Sequence, residues 1–232
     1  MYNFMRKCVC WLAVTVICFA VCGCMARGVG CKNIVYEEEC EDYTIYTETP
    51  VVSGFDDEAF EMSINTSLSE MIGKWNEDFK TRININSPEK AEFSVVSEVK
   101  EKNDKFLSVI IEKSVYTGGA HGNIWRYAQN IDTGQSKVIT LDDLFMDTEY
   151  VDFLNKRMEE LTEKDSENYS DLWQKPVITD RQKEDFYIYD GNLIIFYQPY
   201  DLSYYAKGFV EFPISIESLR GYIKPEYAQI FK

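Results

Sequence analysis

The chain has 232 residues, of which 39 are acidic and 24 basic, and its formal net charge is −15 with the single histidine neutral. This balance excludes nucleic acid as an expected partner, because phosphate binding requires a basic surface. An acidic surface attracts cationic partners, but it also keeps an exported protein soluble. The charge taken alone favours the second, simpler interpretation.

The N-terminus has the layout of a bacterial export signal. A basic start, Arg6-Lys7, precedes an uncharged apolar run from Cys8 to Val21, and small residues follow. The sequence VCGC, which ends at Cys24, resembles the lipobox of bacterial lipoproteins. It predicts a signal over 1–23 and lipidation of Cys24. An uncleaved membrane anchor and ordinary cleavage are the alternatives, and all three place the rest of the chain outside the cytoplasm.

Five of the seven cysteines precede residue 25, which leaves only Cys31 and Cys40. An oxidising compartment permits a disulfide between these two cysteines. Such a disulfide would crosslink the N-terminal tail and not the core. Two cysteines and one histidine at these spacings form no zinc-binding pattern. We therefore expect no metal and no other cofactor.

The rest of the chain divides into a short polar stretch and a long globular part. Residues 24–41 are predicted to be a tether, and residues 42–232 a single module with a sizeable core. We expect two closely packed sub-lobes within this module, at about 42–118 and 119–232.

The order of apolar and polar residues predicts both strands and helices. The clearest signal is a helix of about twenty residues, in which apolar side chains recur from Phe60 to Phe79 and Asp56 or Asp57 is the expected cap. Asp190-Gly191 predicts a tight hairpin turn. The other predicted elements are a strand at 43–47 with a turn at 50–54, strands around 93–99 and 106–115 joined by a turn at 101–105, a helical turn at 141–145, a helix at 150–161, strands on both sides of 190–191, a strand at 206–214 and a helix at 215–223. Short connections between strand pairs predict an α+β fold, with helices on one face of an antiparallel sheet.

The glycine-rich segment VYTGGAHGNIW, residues 115–125, contains the single histidine, His121. A metal-dependent hydrolase site needs at least two imidazoles with a carboxylate, and a serine hydrolase of the common type needs a Gly-x-Ser-x-Gly elbow, which the chain lacks. Gly118 and Gly119 instead permit a tight reversal of the backbone between two strands. We therefore predict an architectural turn, flanked by Tyr116, and a ligand-facing loop as the second choice.

A second segment of interest is rich in tyrosine and runs from residue 197 to residue 205. Tyrosine side chains offer large amphipathic surfaces for contacts with proteins or glycans. The simpler interpretation, a packed irregular loop, is slightly favoured. The candidate binding residues of the two segments together are Tyr116, Gly118, Gly119, His121, Tyr197, Tyr200, Tyr204 and Tyr205.

The order of these motifs resembles an extracytoplasmic module of Gram-positive bacteria. The resemblance covers about residues 43–223 and includes the helix with its Ile64-Asn65 pair, the loop YTGGAHGN, the segment LDDLF, and the strand pair that leads into the tyrosine-rich segment. The module occurs in RsiV-type anti-sigma factors that sense lysozyme, and beside the catalytic domain of PdaC-type peptidoglycan deacetylases.

The resemblance implies a fold and a binding role outside the cytoplasm. We expect neither the sigma-binding segment of the anti-sigma factors nor a deacetylase domain in this chain, and therefore no enzymatic activity. The expected protein is a membrane-anchored lipoprotein of a Gram-positive cell envelope. The resemblance implies a cationic lysozyme-like protein as its partner, and peptidoglycan is the alternative.

Overall fold

The computed structural model describes residues 11–13, 28–84 and 89–231, and only the backbone of 11–13. It contains a seven-stranded sheet and a three-stranded sheet. The strands of the first sheet, in spatial order, are β1 (Trp11–Ala13), β2 (Gly30–Glu39), β3 (Tyr43–Ser53), β4 (Ala91–Lys102), β5 (Phe106–Tyr116), β6 (Asn123–Asp132) and β7 (Lys137–Val138). The second sheet has the order β10 (Val210–Ser215), β9 (Asn192–Tyr197) and β8 (Phe186–Tyr189). The helices are α1 (Glu58–Arg82), α2 (Leu141–Leu144), α3 (Glu149–Lys164), α4 (Ser166–Tyr169), α5 (Ile216–Leu219) and α6 (Pro225–Ile230).

Helix α1 forms as the apolar stripe predicts and covers one face of the first sheet. Its cap is Asp57, whose carboxylate accepts a hydrogen bond of 2.9 Å from the backbone N–H of Phe60. The side chain of Asn65 accepts from the N–H of Val52 at 2.8 Å and donates to its carbonyl at 3.0 Å. These two bonds attach α1 to β3. They give the polar Asn65 a structural role next to Ile64, which is buried.

The α+β class is confirmed, but the first sheet is not wholly antiparallel. Helix α1 is a crossover between β3 and β4, which pair in parallel over Tyr43–Thr47 and Ala91–Val95. The remaining strand pairs of both sheets are antiparallel. The helices also flank two sheets and not one face, since α3 and α5 pack against β10.

The second sheet is attached to the first through buried polar groups as well as apolar contacts. The side chain of Asn130 on β6 donates to the carbonyl of Phe186 at 2.7 Å, and Ser108 on β5 accepts from the N–H of Ile188 at 3.2 Å. The hydroxyl of Ser108 in turn donates to Asn130 at 2.7 Å. All four residues are buried. Satisfied buried networks of this kind fix the relative position of the layers they join.

Several predicted boundaries were wrong. Residues 30–39, expected in a tether, form β2 and pair with β3 along its whole length. Cys31 and Cys40 therefore lie nine residues apart along extended chain, about 30 Å, whereas a disulfide requires Cα atoms within about 7 Å. The thiol of Cys31 is free, and Cys40 is disulfide-bonded, so the bridge between these two is not formed.

The predicted turn at 50–54 begins later, because β3 continues through Pro50 to Ser53. Beyond Thr47, β3 pairs only with β2, and a proline is tolerated where one side of a strand is open. The sub-lobe boundary at 118 also falls inside the β5–β6 hairpin, and β5 contributes to both main apolar cores, since Phe106 belongs to one and Leu107 to the other. The last strand begins at Val210 and not at residue 206, and α4 and α6 were not predicted.

The predicted signal lies almost entirely outside the described residues, as does Cys24. Its described part, Trp11–Ala13, pairs with Glu37–Glu39 of β2. Among the described helices, none has the length and apolar character needed to cross a membrane. The signal and the lipidation of Cys24 stay predictions.

Candidate functional site

The glycine-rich loop occupies residues 117–122 and connects β5 to β6. Gly118 and Gly119 have φ of 103° and 104°, a conformation that side chains with Cβ rarely adopt. A Cβ on Gly122 would lie 2.9 Å from the carbonyl oxygen of Val115, so only glycine fits there. A strand lies on each side of the loop, as predicted. The reversal of the backbone between these strands requires the three glycines.

The loop is held on its outer side by Tyr116 and Glu89. The hydroxyl of Tyr116 donates to the carboxylate of Glu89 at 2.6 Å, and the N–H of Gly119 donates to the same carboxylate at 3.1 Å. These bonds lower the pKa of Glu89, and the bond from Tyr116 contributes most. The same hydrogen bond raises the pKa of Tyr116. Tyr116 thus stabilises the loop.

The tyrosine-rich segment begins with a tight turn over 198–201. The N–H of Asp201 donates to the carbonyl of Gln198 at 3.0 Å, and the carboxylate of Asp201 accepts from the N–H of Gln198 at 2.9 Å. Pro199 supplies the second position of the turn, and Tyr200 the third, with φ of 72°. That third position normally holds glycine or asparagine, because φ is positive. The turn leaves the side chain of Tyr200 54% exposed.

Gln198 attaches this turn to the edge of the first sheet. Its side chain accepts from the N–H of Arg126 on β6 at 2.9 Å and donates to the carbonyl of Arg126 at 2.7 Å. The amide therefore occupies the place of a neighbouring strand at this position of β6. Gln198 is buried, and its amide also lies 3.4 Å from the carboxylate of Asp185, whose pKa is raised by burial.

The same position of β6 carries an ion-pair cluster that joins the two sheets. Arg126 pairs with Glu112 on β5 at 2.7 Å and with Glu211 on β10. Its guanidinium lies 4.1 Å from the ring centroid of Phe209, in range of a cation–π contact. The side chain of Arg126 is 11% exposed, so removal of one partner would leave a poorly hydrated charge.

These attachments bring the two candidate segments into contact. The imidazole of His121 stacks on the ring of Tyr205, with centroids 4.2 Å apart and an interplanar angle of 17°. The ring of Tyr200 lies 5.5 Å from that of Tyr205, tilted by 34°. Tyr204 is 51% exposed and interacts with the carboxylate of Asp171, which raises the pKa of the phenol. We call His121, Tyr200, Tyr204 and Tyr205 the aromatic junction.

Family models match both parts of the chain that meet at this junction. Residues 36–124 match the model described as deacetylase PdaC, and residues 142–217 match that of a protein family of unknown function, DUF3298. The chain carries a PdaC/DUF3298-like module. The first match contains His121 and the second contains Tyr200 and Tyr205, so the ring stack joins the two halves of the module.

Solved structures share the fold of this PdaC/DUF3298-like module. A DUF3298-family protein from Bacteroides fragilis NCTC 9343 superposes with a TM-score of 0.65 at 16% identity, over 86% of this chain and 96% of that chain. A DUF3298-family protein from Pseudomonas aeruginosa PAO1 gives a TM-score of 0.63 at 19% identity, over 85% of this chain and 95% of that chain. A search of curated proteins found no match to the sequence.

The module does not bring all the predicted residues to one surface. Tyr197 was wrongly placed in the candidate set, because β9 carries it into the core, where its ring meets Phe212 edge to face and its hydroxyl donates to the carbonyl of Val177 at 2.8 Å. Burial raises its pKa. Gly118, Gly119 and Tyr116 shape the loop that presents His121, and the exposed rings belong to the aromatic junction.

Sequence reasoning missed Gln198, Arg126 and Trp173. The only signal for Gln198 was a polar residue between apolar Tyr197 and Pro199, and this does not reveal a partner on β6. Trp173 is 56% exposed and its backbone N–H donates to the carbonyl of Leu202 at 3.0 Å, which places it beside the tyrosine-rich segment.

No cluster of three or more histidine, cysteine or acidic side chains with metal-binding geometry occurs within 28–84 and 89–231.

Proposed function

We propose that this chain is a non-catalytic binding lipoprotein of the bacterial cell envelope, exposed outside the cytoplasm. Its PdaC/DUF3298-like module binds a cationic protein of the lysozyme class through the aromatic junction. The fold and the family matches are the evidence for the module. The class of partner is inferred from the resemblance to lysozyme-sensing anti-sigma factors.

The observation that carries the proposal is the backbone of Tyr200. A left-handed conformation costs a non-glycine residue about 1–2 kcal/mol. A ring that is 54% exposed offsets little of that cost by burial. Strained residues concentrate at binding sites, so we assign the exposed part of the Tyr200 ring to contacts outside the chain.

The arrangement of the rings favours a protein over a glycan at this surface. A sugar platform needs an open ring face, but His121 covers one face of Tyr205 and Tyr200 lies against the same ring. The junction therefore offers ring edges and hydroxyl groups, which suit the mixed apolar and polar contacts of a protein interface. The net charge of −15 adds attraction for a cationic partner.

The contacts of His121 support a binding role and not a catalytic one. Its Nδ1 lies 2.7 Å from the carbonyl oxygen of the adjacent Gly122, and its ring face lies on Tyr205. A general base must instead reach a nucleophile or a substrate proton, and is commonly oriented by a carboxylate. The imidazole is used to complete the loop and to extend the aromatic junction.

Calorimetric titration of the full-length chain with lysozyme, at low and moderate salt, tests the proposal. We expect Tyr200→Gly to weaken binding at least tenfold, as for an interface hot spot, while the free energy of unfolding rises by about 1 kcal/mol. Tyr189→Ala is the matched control, since Tyr189 is 50% exposed at the end of β8 but has an ordinary strand backbone. No binding by the wild-type chain at low salt would remove the proposed partner.

Peptidoglycan, the alternative partner, is tested by co-sedimentation of the same chain with purified peptidoglycan in the absence of lysozyme. Mass spectrometry of the chain extracted from bacterial membranes tests the envelope assignment. The mass should correspond to cleavage before Cys24 and addition of a lipid. An intact signal over 1–23 would instead support the anchor.

A further inference from the structure

Trp173 is an exposed aromatic residue that the proposed function leaves unused. Its indole is 56% exposed, although its edge is anchored: Nε1 lies 3.4 Å from the carbonyl oxygen of Asp201. The neighbouring Gln174 donates to the same carbonyl at 2.7 Å. Within 28–84 and 89–231, no aromatic ring stacks on this indole and no cation lies over it. The indole is thus held at its edge and more than half exposed, unlike the stacked His121 and Tyr205 of the aromatic junction.

An open groove of about 490 Å³ lies beside the indole. It is formed by the C-terminal half of α3, by α4 and by the segment 172–176. The polar groups that line it are the carboxylates of Glu159 and Glu163, the hydroxyl of Thr162, the amide of Gln174 and the ammonium of Lys175. Lys175 is paired with Glu159, which leaves the lining with a net negative charge.

An exposed indole face beside hydroxyl, amide and carboxylate groups matches the chemistry of a pyranose sugar. The axial C–H groups of a pyranose form an apolar face that packs on an aromatic ring, and its equatorial hydroxyls need donors and acceptors at the rim. Thr162 and Gln174 already donate to the carbonyls of Glu159 and Asp201, so their acceptor oxygens and the carboxylate of Glu163 are the groups available to sugar hydroxyls. The negative lining disfavours sugars that carry a carboxylate or a sulfate.

We propose that the groove beside Trp173 binds a pyranose unit of a neutral or amino-sugar polysaccharide, with the sugar ring packed on the indole. The carboxylate of Glu163 accepts hydrogen bonds from hydroxyl or amide groups of the sugar. The amide oxygen of Gln174 accepts hydrogen bonds from its hydroxyl groups. This site uses none of the residues of the aromatic junction, and it does not depend on the binding of lysozyme. Its connection to that junction runs through Asp201 and Leu202, whose carbonyls hold Trp173.

Titration of the full-length chain with three soluble tetrasaccharides tests this site: an N-acetylglucosamine oligomer, a glucosamine oligomer and a galacturonate oligomer. Tryptophan fluorescence and calorimetry should detect binding of the first or the second, and at least tenfold weaker binding of the third. We expect Trp173→Ala to lower the affinity at least tenfold and Trp173→Phe to retain most of it. Glu163→Gln should weaken binding several-fold without loss of stability.

Tyr189→Ala, an exposed aromatic away from the groove, is the matched control and should bind like the wild type. The proposal is overturned if the wild-type chain binds neither the neutral nor the amino-sugar oligomer, or if Trp173→Ala binds as tightly as the wild type. Lysozyme binding by Trp173→Ala should be unchanged, so the failure of this site and the failure of the proposed function are separate results.

Discussion

Replacement of Gln198 by alanine tests whether the tyrosine-rich segment is attached to the first sheet as described. The substitution removes two hydrogen bonds, of 2.9 and 2.7 Å, from the backbone of Arg126. Each bond contributes about 1 kcal/mol, and each backbone group left without a partner costs about a further 1 kcal/mol where water reaches it poorly. We therefore expect the free energy of unfolding to fall by about 2–4 kcal/mol.

For a domain of this size, the loss corresponds to a fall in Tm of roughly 4 to 16 °C. Urea denaturation followed by circular dichroism measures the free energy, and amide hydrogen exchange measures where protection is lost. The loss should concentrate in 123–129 and 198–209. Gln229→Ala is the matched control, because Gln229 is exposed on α6, and its change should stay within about 0.5 kcal/mol. An equally small change for Gln198→Ala would refute the attachment.

The remaining predictions concern stability and its dependence on pH. Hydrogen bonds to Glu38 from Lys80 at 2.7 Å and from two tyrosines outweigh the effect of burial and lower the pKa of Glu38 below 4.5. Glu38 therefore stabilises the fold above pH 4.5 and loses this contribution as the pH falls through the lowered pKa. In urea titrations Glu38→Gln should cost about 1–3 kcal/mol at pH 7, and the cost should decrease as the pH is lowered through that pKa. Gly73→Ala should raise the free energy of unfolding by about 0.5–1 kcal/mol, because Gly73 lies within α1 and has open space around its Cβ position; an unchanged Tm would contradict this. Gly122→Ala should lower that free energy by about 1–3 kcal/mol in the same assay, because of the contact with Val115, and a neutral result would show that the loop can relax.

The parts of the fold that the sequence predicts are those determined by local pattern. The apolar stripe from Phe60 to Phe79 predicts α1, since one helical face must be buried. Asp190-Gly191 predicts the β8–β9 turn, and both residues have positive φ, of 46° and 70°. In each case the signal lies within a few residues of the structure it specifies.

The parts that could not be predicted depend on partners far away in the sequence. Strand β2 has a polar, irregular pattern and exists because β3 provides a partner along its length. Tyr197 was placed with its exposed neighbours because nothing local distinguishes an inward tyrosine of β9 from an outward one in the following turn. The contact between His121 and Tyr205 likewise joins segments distant in the sequence, as do the bonds between Gln198 and Arg126, 72 positions away.

Hydrogen–deuterium exchange of the full-length chain, with and without lysozyme, locates the surface that lysozyme covers. We expect lysozyme to slow amide exchange in the two segments that form the aromatic junction, 117–122 and 198–209, and to leave exchange at the exposed face of α1 unchanged. Tyr200→Gly should abolish that protection. Protection confined to α1, or protection that Tyr200→Gly leaves unchanged, would contradict the claim that the aromatic junction is the binding surface.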